Sequence, residues 1–143
     1  MAQSGTHITS SEAETAAIAS ILARSAGAGD IFALRGDLGA GKSVFARGFI
    51  HALLGPIEVP SPTFTLVQQY ETAGAPLYHF DLYRLESPDE VLELGWDEAM
   101  QEGVCLIEWP ERAGALLPPR AITIAIATQP DESRRIDIDD PRS

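Results

Sequence analysis

The chain has 143 residues, 45% of them hydrophobic, enough for one domain with a sizeable core. A formal charge of -11 at pH 7 and a pI near 4.5 exclude a protein that grips DNA or RNA by its own phosphate contacts, because such binding is driven by clustered Lys and Arg. A single cysteine, Cys105, excludes an intramolecular disulfide and a multi-cysteine zinc site. With no secretory leader and no apolar run near the ~18 residues of a membrane span, a soluble, cytoplasmic chain is expected.

Taken from the start, Thr6 to Thr9 suits a short strand. Thr9 with Glu12, and Ser11 with Glu14, each offer a capping-box pairing for a helix that runs to about Ser25 with Ile18, Ile21 and Leu22 as its buried stripe. Gly27 and Gly29 end that helix. Asp30 then leads into the apolar run Ile31 to Leu34, expected as a strand, and the glycine-rich stretch GDLGAGKS, Gly36 to Ser43, follows at once. From Val44 to Leu54, Phe45, Phe49 and Leu53 recur at helical spacing, so the order is strand, glycine loop, helix.

That order is what a polyphosphate site requires. Glycines at 36, 39 and 41 admit backbone angles closed to other residues, so the loop's N–H groups can turn inward at the positive end of the next helix. Lys42, the only lysine in the chain, would neutralise the outer phosphates, and the Ser43 hydroxyl would hold magnesium.

Beyond Gly55 and Pro56, two prolines in Val59 to Tyr70 forbid helix and favour an extended loop that feeds a strand. Within it, Ser61 and Thr63 flank Pro62, where they could sense a terminal phosphate. Leu77 to Leu85 alternates, with His79, Asp81 and Tyr83 on one face and Tyr78, Phe80 and Leu82 on the other. Ser87 to Glu90 reads as a helix start, with Val91, Leu92 and Leu94 on its apolar side. Gly103 to Ile107 is short, continuous and apolar, as a strand buried on both faces should be, and it holds Cys105 in the core. It ends in Glu108, Trp109 and Pro110. A carboxylate at such a strand end lies near the glycine loop in nucleotide-binding sheets, which makes Glu108 the candidate magnesium partner. Asp81, a lone acid among aromatic residues, is a second candidate for orienting water or supporting the metal. Ala121 to Thr128, a turn at Pro130 to Ser133, and Arg134 to Asp139 form a closing hairpin, after which the last acidic residues are expected to fray.

Four blocks together, GDLGAGKS (36–43), SPTFTLV (61–67), HFDLYRL (79–85) and LIEWPER (106–112), resemble the TsaE family, small bacterial ATPases of tRNA threonylcarbamoyladenosine synthesis. The resemblance runs in the same order from about Thr6 to Pro118. It implies a single P-loop NTPase-like α/β domain over residues 1–143, with three layers, a central mixed sheet and the C-terminal hairpin. It also implies ATP and Mg2+ as cofactors and docking on the TsaB and TsaD proteins, through which tRNA is reached indirectly. Carried over residue by residue, Leu38, Gly39, Ala40, Gly41, Lys42 and Ser43 would wrap the phosphates. Ser43 and Glu108 would hold the metal, with Lys42, Asp81 and Glu108 as the catalytic set; Trp109 matches the Trp that follows the metal-binding Glu. Glu12 and Arg134 correspond to where the family encloses the base. Two departures stand out: Ser43 where the family usually has Thr, and Val44 where it usually has a second hydroxyl. A small-molecule kinase is the rival reading, although the scattered arginines supply no lid.

Overall fold

The computed structural model of the protein describes residues 4–37, 39–60, 62 and 65–142; Leu38, Ser61 and Thr63, singled out above, lie outside them. The chain opens with strand β1 (Gly5–Thr9) and helix α1 (Glu12–Ser25). Ser11 caps α1, its hydroxyl accepting from the Glu14 amide at 3.1 Å while the Glu14 carboxylate reaches back to the Ser10 amide at 2.7 Å. The alternative pairing of Thr9 with Glu12 does not form, because the Thr9 hydroxyl bonds that of Thr15 at 2.8 Å in a buried contact.

The expected stripe of α1 needs correction at Ile21, which is 66% exposed. The helix buries Thr15, Ala19, Leu22 and Ala23, and Ile21 is turned about 200° from both Ala19 and Ala23. Small residues make that face. Helix α2 (Lys42–Leu54) comes so near that a Cβ on Gly48 would stand 2.8 Å from the Ala16 Cα.

The remaining elements are β2 (Ile31–Arg35), β3 (Val67–Tyr70), β4 (Leu77–Asp81), α3 (Trp96–Glu102), β5 (Val104–Glu108), β6 (Ile122–Thr128) and β7 (Arg134–Asp139). Among the described residues they build one open seven-stranded sheet in the order β1-β7-β6-β2-β5-β4-β3. Its middle, β6-β2-β5-β4, is parallel, whereas β1, β7 and β3 run antiparallel to their neighbours. The mixed α/β sheet and the hairpin of β6 with β7 match the sequence reading.

Alternation along the central strands divides the core in two. Phe32 and Leu34 of β2, with Val104 and Leu106 of β5, pack beneath α1 and α2, whereas Ile31, Ala33, Cys105 and Ile107 face Val91, Trp96 and Ala99 on the other side. Each buried strand therefore serves two helical layers, which is why both read as unbroken apolar runs.

Three further expectations change. The segment after Ser87 is a 3₁₀ helix, Pro88–Leu94, closed by Gly95 at φ +77° before α3 begins. On it only Val91 is buried and Leu92 is 47% exposed, because a three-residue turn does not keep 91, 92 and 94 on one side. Strand β4 stops at Asp81, so Tyr83 lies in the following turn and not on the face of His79 and Asp81. At the C-terminus, Asp140 is buried and held by the Arg142 guanidinium at 2.9 Å, and Arg142 also bridges to Asp30 at 2.6 Å. The last acids are thus tied back against the start of β2.

Candidate phosphate and metal site

The glycine loop joins the C-terminal end of β2 to α2 at the centre of the sheet. Gly36 passes so close under β6 that a Cβ there would stand 2.5 Å from the Ile126 carbonyl oxygen. Gly41, at φ +116°, is the N-cap of α2 and provides no side-chain cap. The first helical hydrogen bond runs from the Phe45 amide to the Gly41 carbonyl at 3.0 Å, so the amides of Lys42, Ser43 and Val44 precede any intrahelical acceptor. Free N–H groups at the positive end of a helix attract an anion.

Lys42 is the first residue of α2 and is only 5% exposed, yet its Nζ has no hydrogen-bond partner among the described residues. It sits 3.4 Å from the centroid of the Trp109 indole. Burial pushes its pKa below the ordinary 10.5, an effect opposed by Glu108, Glu111, Asp81 and Asp37. An unsatisfied buried ammonium is costly, and an incoming anion is the partner that satisfies it. The indole also meets the Tyr83 ring, tilted by 47° at 4.9 Å between centroids, and the Arg112 guanidinium lies 5.7 Å from the Tyr83 centroid. Trp109 reaches this place through a left-handed backbone, φ +57°, directly after β5.

Strand alternation decides which polar groups meet the loop. Glu108 shares the parity of Val104 and Leu106, and His79 and Asp81 share that of Leu77, so all three side chains project toward the α2 layer. In the parallel pairing Asp81 lies opposite Glu108. All three are buried: His79 is 3%, Asp81 6% and Glu108 6% exposed. His79 Nε2 bonds Glu108 Oε2 at 2.7 Å, and Asp81 Oδ1 accepts from the Tyr83 amide at 3.1 Å. Ser43 and Glu108 line one cavity of about 130 Å³, together with His79, Arg47, Val59 and Pro60. A hydroxyl and a carboxylate converging beside free amides and an ammonium suit a hard cation accompanying phosphates.

Glu12 and Arg134 meet as well, in a separate cavity of about 280 Å³ that also includes Gly39, Gly41 and Val44. Arg134 braces the loop there, its Nε donating to the Ala40 carbonyl at 2.9 Å. Val44 presents an apolar group to this cavity. Leu38 lies outside the described residues.

The profile of threonylcarbamoyl adenosine biosynthesis protein TsaE matches residues 9–136. The chain belongs to the TsaE family. Relatives agree: it is 44% identical to the tRNA threonylcarbamoyladenosine biosynthesis protein TsaE of Rickettsia felis over 90% of this chain and 75% of that one. It is also 44% identical to the protein of that name from Bacillus subtilis, over 86% of this chain and 77% of the relative. The crystal structure of Bacillus subtilis YdiB superposes with a TM-score of 0.77 at 36% identity, covering 96% of this chain and 86% of that one. In this TsaE-family chain the loop, β4 and the end of β5 bring three of the four sequence blocks to one place.

Two participants escaped the sequence reading. Strand alternation placed His79 on one face with Asp81 and gave it no role, but its ring is engaged with Glu108. The resemblance marked Trp109 only as the Trp that follows the metal-binding Glu, and its indole proves to be the resting contact of Lys42. Parity could have found the first, since His79 and Glu108 each lie an even number of residues from strand positions that face α2. Nothing local announced the second.

Proposed function

We propose that this chain is an ATP-binding and slowly ATP-hydrolysing protein that supports tRNA threonylcarbamoyladenosine biosynthesis in the cytoplasm, acting with TsaD and TsaB. The observation that carries the reading is the buried Lys42 ammonium, which lacks a hydrogen bond among the described residues, at the N-terminus of a helix whose glycine N-cap supplies no side-chain cap. The family supports the pathway, and the acidic balance of the chain supports reaching tRNA through partners.

The residues present suit Mg2+ and a nucleoside triphosphate. Gly39 to Ser43 offer the amides, Lys42 the neutralising charge, and Ser43 with Glu108 a hydroxyl and a carboxylate for the metal. Ser43 and Glu108 would hold the magnesium ion, which when bound would supply positive charge against the charge that develops on the phosphates. Asp81, beside Glu108, has the acceptor oxygens to orient an attacking water. Glu12 and Arg134 border the cavity next to the loop and are the candidates for enclosing the base. A small-molecule kinase is not favoured, since the family is one of tRNA modification.

Phosphate release measured with and without TsaB and TsaD, alongside reconstituted tRNA modification, tests the proposal. Turnover should rise in the complex, and multiple-turnover modification should require this chain. Modification that proceeds equally without it would reject the assignment, and transfer of phosphate to a small acceptor would restore the kinase. Glu108→Gln should keep ATP binding and lose modification; full modification by that variant would reduce the chain to a nucleotide-gated binding module.

A further inference from the structure

The contact between His79 and Glu108 has no role in the chemistry above, yet its geometry is specific. Both side chains are almost fully enclosed, at 4% and 8% side-chain exposure, and the ring nitrogen meets a single carboxylate oxygen, Oε2, at 2.7 Å. An ionised carboxylate only accepts, so Nε2 carries the hydrogen and donates. The other tautomer would leave an N–H at Nδ1, where no partner exists among the described residues, and a buried donor without an acceptor is costly. Among those residues no hydrogen bond occupies Oε1 of Glu108, and Glu108 borders the cavity that Ser43 also lines. One oxygen is therefore pinned from behind while the other is left for the cavity.

We propose that His79 is a positioning residue for Glu108, holding Oε2 so that Oε1 is presented to the divalent cation that accompanies the nucleotide. This rests on the reading of Ser43 and Glu108 as the metal pair. A carboxylate at the end of a strand otherwise rotates about its side-chain bonds, and an outer partner that fixes it raises metal affinity by roughly 10–100-fold. The strand ladder makes His79 suited to the task. Its neighbour across the sheet is Leu106, two positions before Glu108 on the same face, so the imidazole reaches diagonally forward to the carboxylate.

The test uses the full chain and three substitutions. In His79→Gln the amide nitrogen reaches about as far as Nε2, in His79→Asn it falls short, and in His79→Phe the volume stays but the donor goes. ATP affinity is measured calorimetrically in Mg2+ and in EDTA. The wild type should bind more tightly in Mg2+, and His79→Asn and His79→Phe should lose about tenfold or more of that gain with affinity in EDTA unchanged. His79→Gln should recover most of it. The Mg2+ concentration for half-maximal phosphate release should rise in the same two variants more than the rate at saturating Mg2+ falls. A gain that survives in all three variants overturns the proposal while leaving the metal pair intact; no gain in the wild type removes the metal pair and the proposal with it. Nitrogen NMR of the unmodified protein gives a check that needs no variant: His79 should carry a proton on Nε2, and an Nε2 without one would overturn the proposal.

Discussion

Replacing Lys42 by Met separates what the ammonium does for the fold from what it does for a ligand. Met keeps the unbranched stem and exchanges a buried charge that has no hydrogen bond among the described residues for a thioether over the indole. Leaving that ammonium unsatisfied costs about 1–3 kcal/mol or more, of which a desolvated contact with Trp109 returns about 2 kcal/mol. Sulfur over the same ring contributes roughly 0.3–1.5 kcal/mol. The balance favours Met by about 1 kcal/mol, or about 3–4 °C in melting temperature for a domain of this size. Without nucleotide, then, the variant should be the more stable protein. With ATP and Mg2+ the order should reverse, because ligand stabilisation follows affinity and the variant has lost the cation that meets the phosphates. The pH dependence has a definite sign. Burial lowers the pKa of Lys42, so between that lowered value and 10.5 the unfolded chain binds more protons than the folded one. Stability from this group therefore rises with pH through that window, and the rise should vanish in Lys42→Met. Urea and thermal unfolding of both proteins, with and without ligand, measure all of this. A variant less stable than wild type in the absence of nucleotide would refute the picture of a strained resting ammonium, and equal stabilisation by ATP would place the phosphates elsewhere.

Other substitutions probe different parts of the molecule. Asp81→Asn should leave ATP binding intact and lower phosphate release by roughly 10²-fold or more, as single-turnover kinetics would register; normal turnover would remove Asp81 from the chemistry. Gly48→Ala should lower stability by about 1 kcal/mol in urea unfolding, since its methyl would press on the Ala16 backbone and outweigh the roughly 1 kcal/mol gain in helix propensity. Arg142→Ala should destabilise by about 1–3 kcal/mol, because it removes the guanidinium that donates to the buried Asp140 carboxylate. The hydrogen bond from Arg142 lowers the pKa of Asp140 below 3.8, so its contribution is complete above that pH and lost as pH falls through the lowered value. Acid unfolding of the variant should accordingly lack this component.

Legibility followed the range of the interactions. Strands β2 and β5 were visible because burial on both faces leaves no polar alternation, and the glycine loop because its spacing answers a backbone need. Glu108 stood out as an acid that ends an apolar run. By contrast, Ile21 misled because helical periodicity allows either of two neighbouring stripes, and the choice fell to the close approach of Gly48 to Ala16, which lies in another element. The same holds at the site. Lys42 meets Trp109 only because the chain turns left-handed after β5, a bend no pattern of side chains specifies. The role of Arg142 depends on Asp30, distant in sequence. Pairings across the sheet, not local propensity, supply what was missed.

The pairing of β1 with β7 sets the order in which the molecule can be finished. Gly5 lies opposite Ile138, and Arg134, at the start of that last strand, fastens the Ala40 carbonyl of the loop. During synthesis from the ribosome β1 has no ladder neighbour, and the loop lacks its Arg134 brace, until β7 has emerged. A chain cut before β7 would lack both the ladder partner of β1 and the Arg134 clasp on the loop, so this edge of the sheet and the glycine loop are finished in one step.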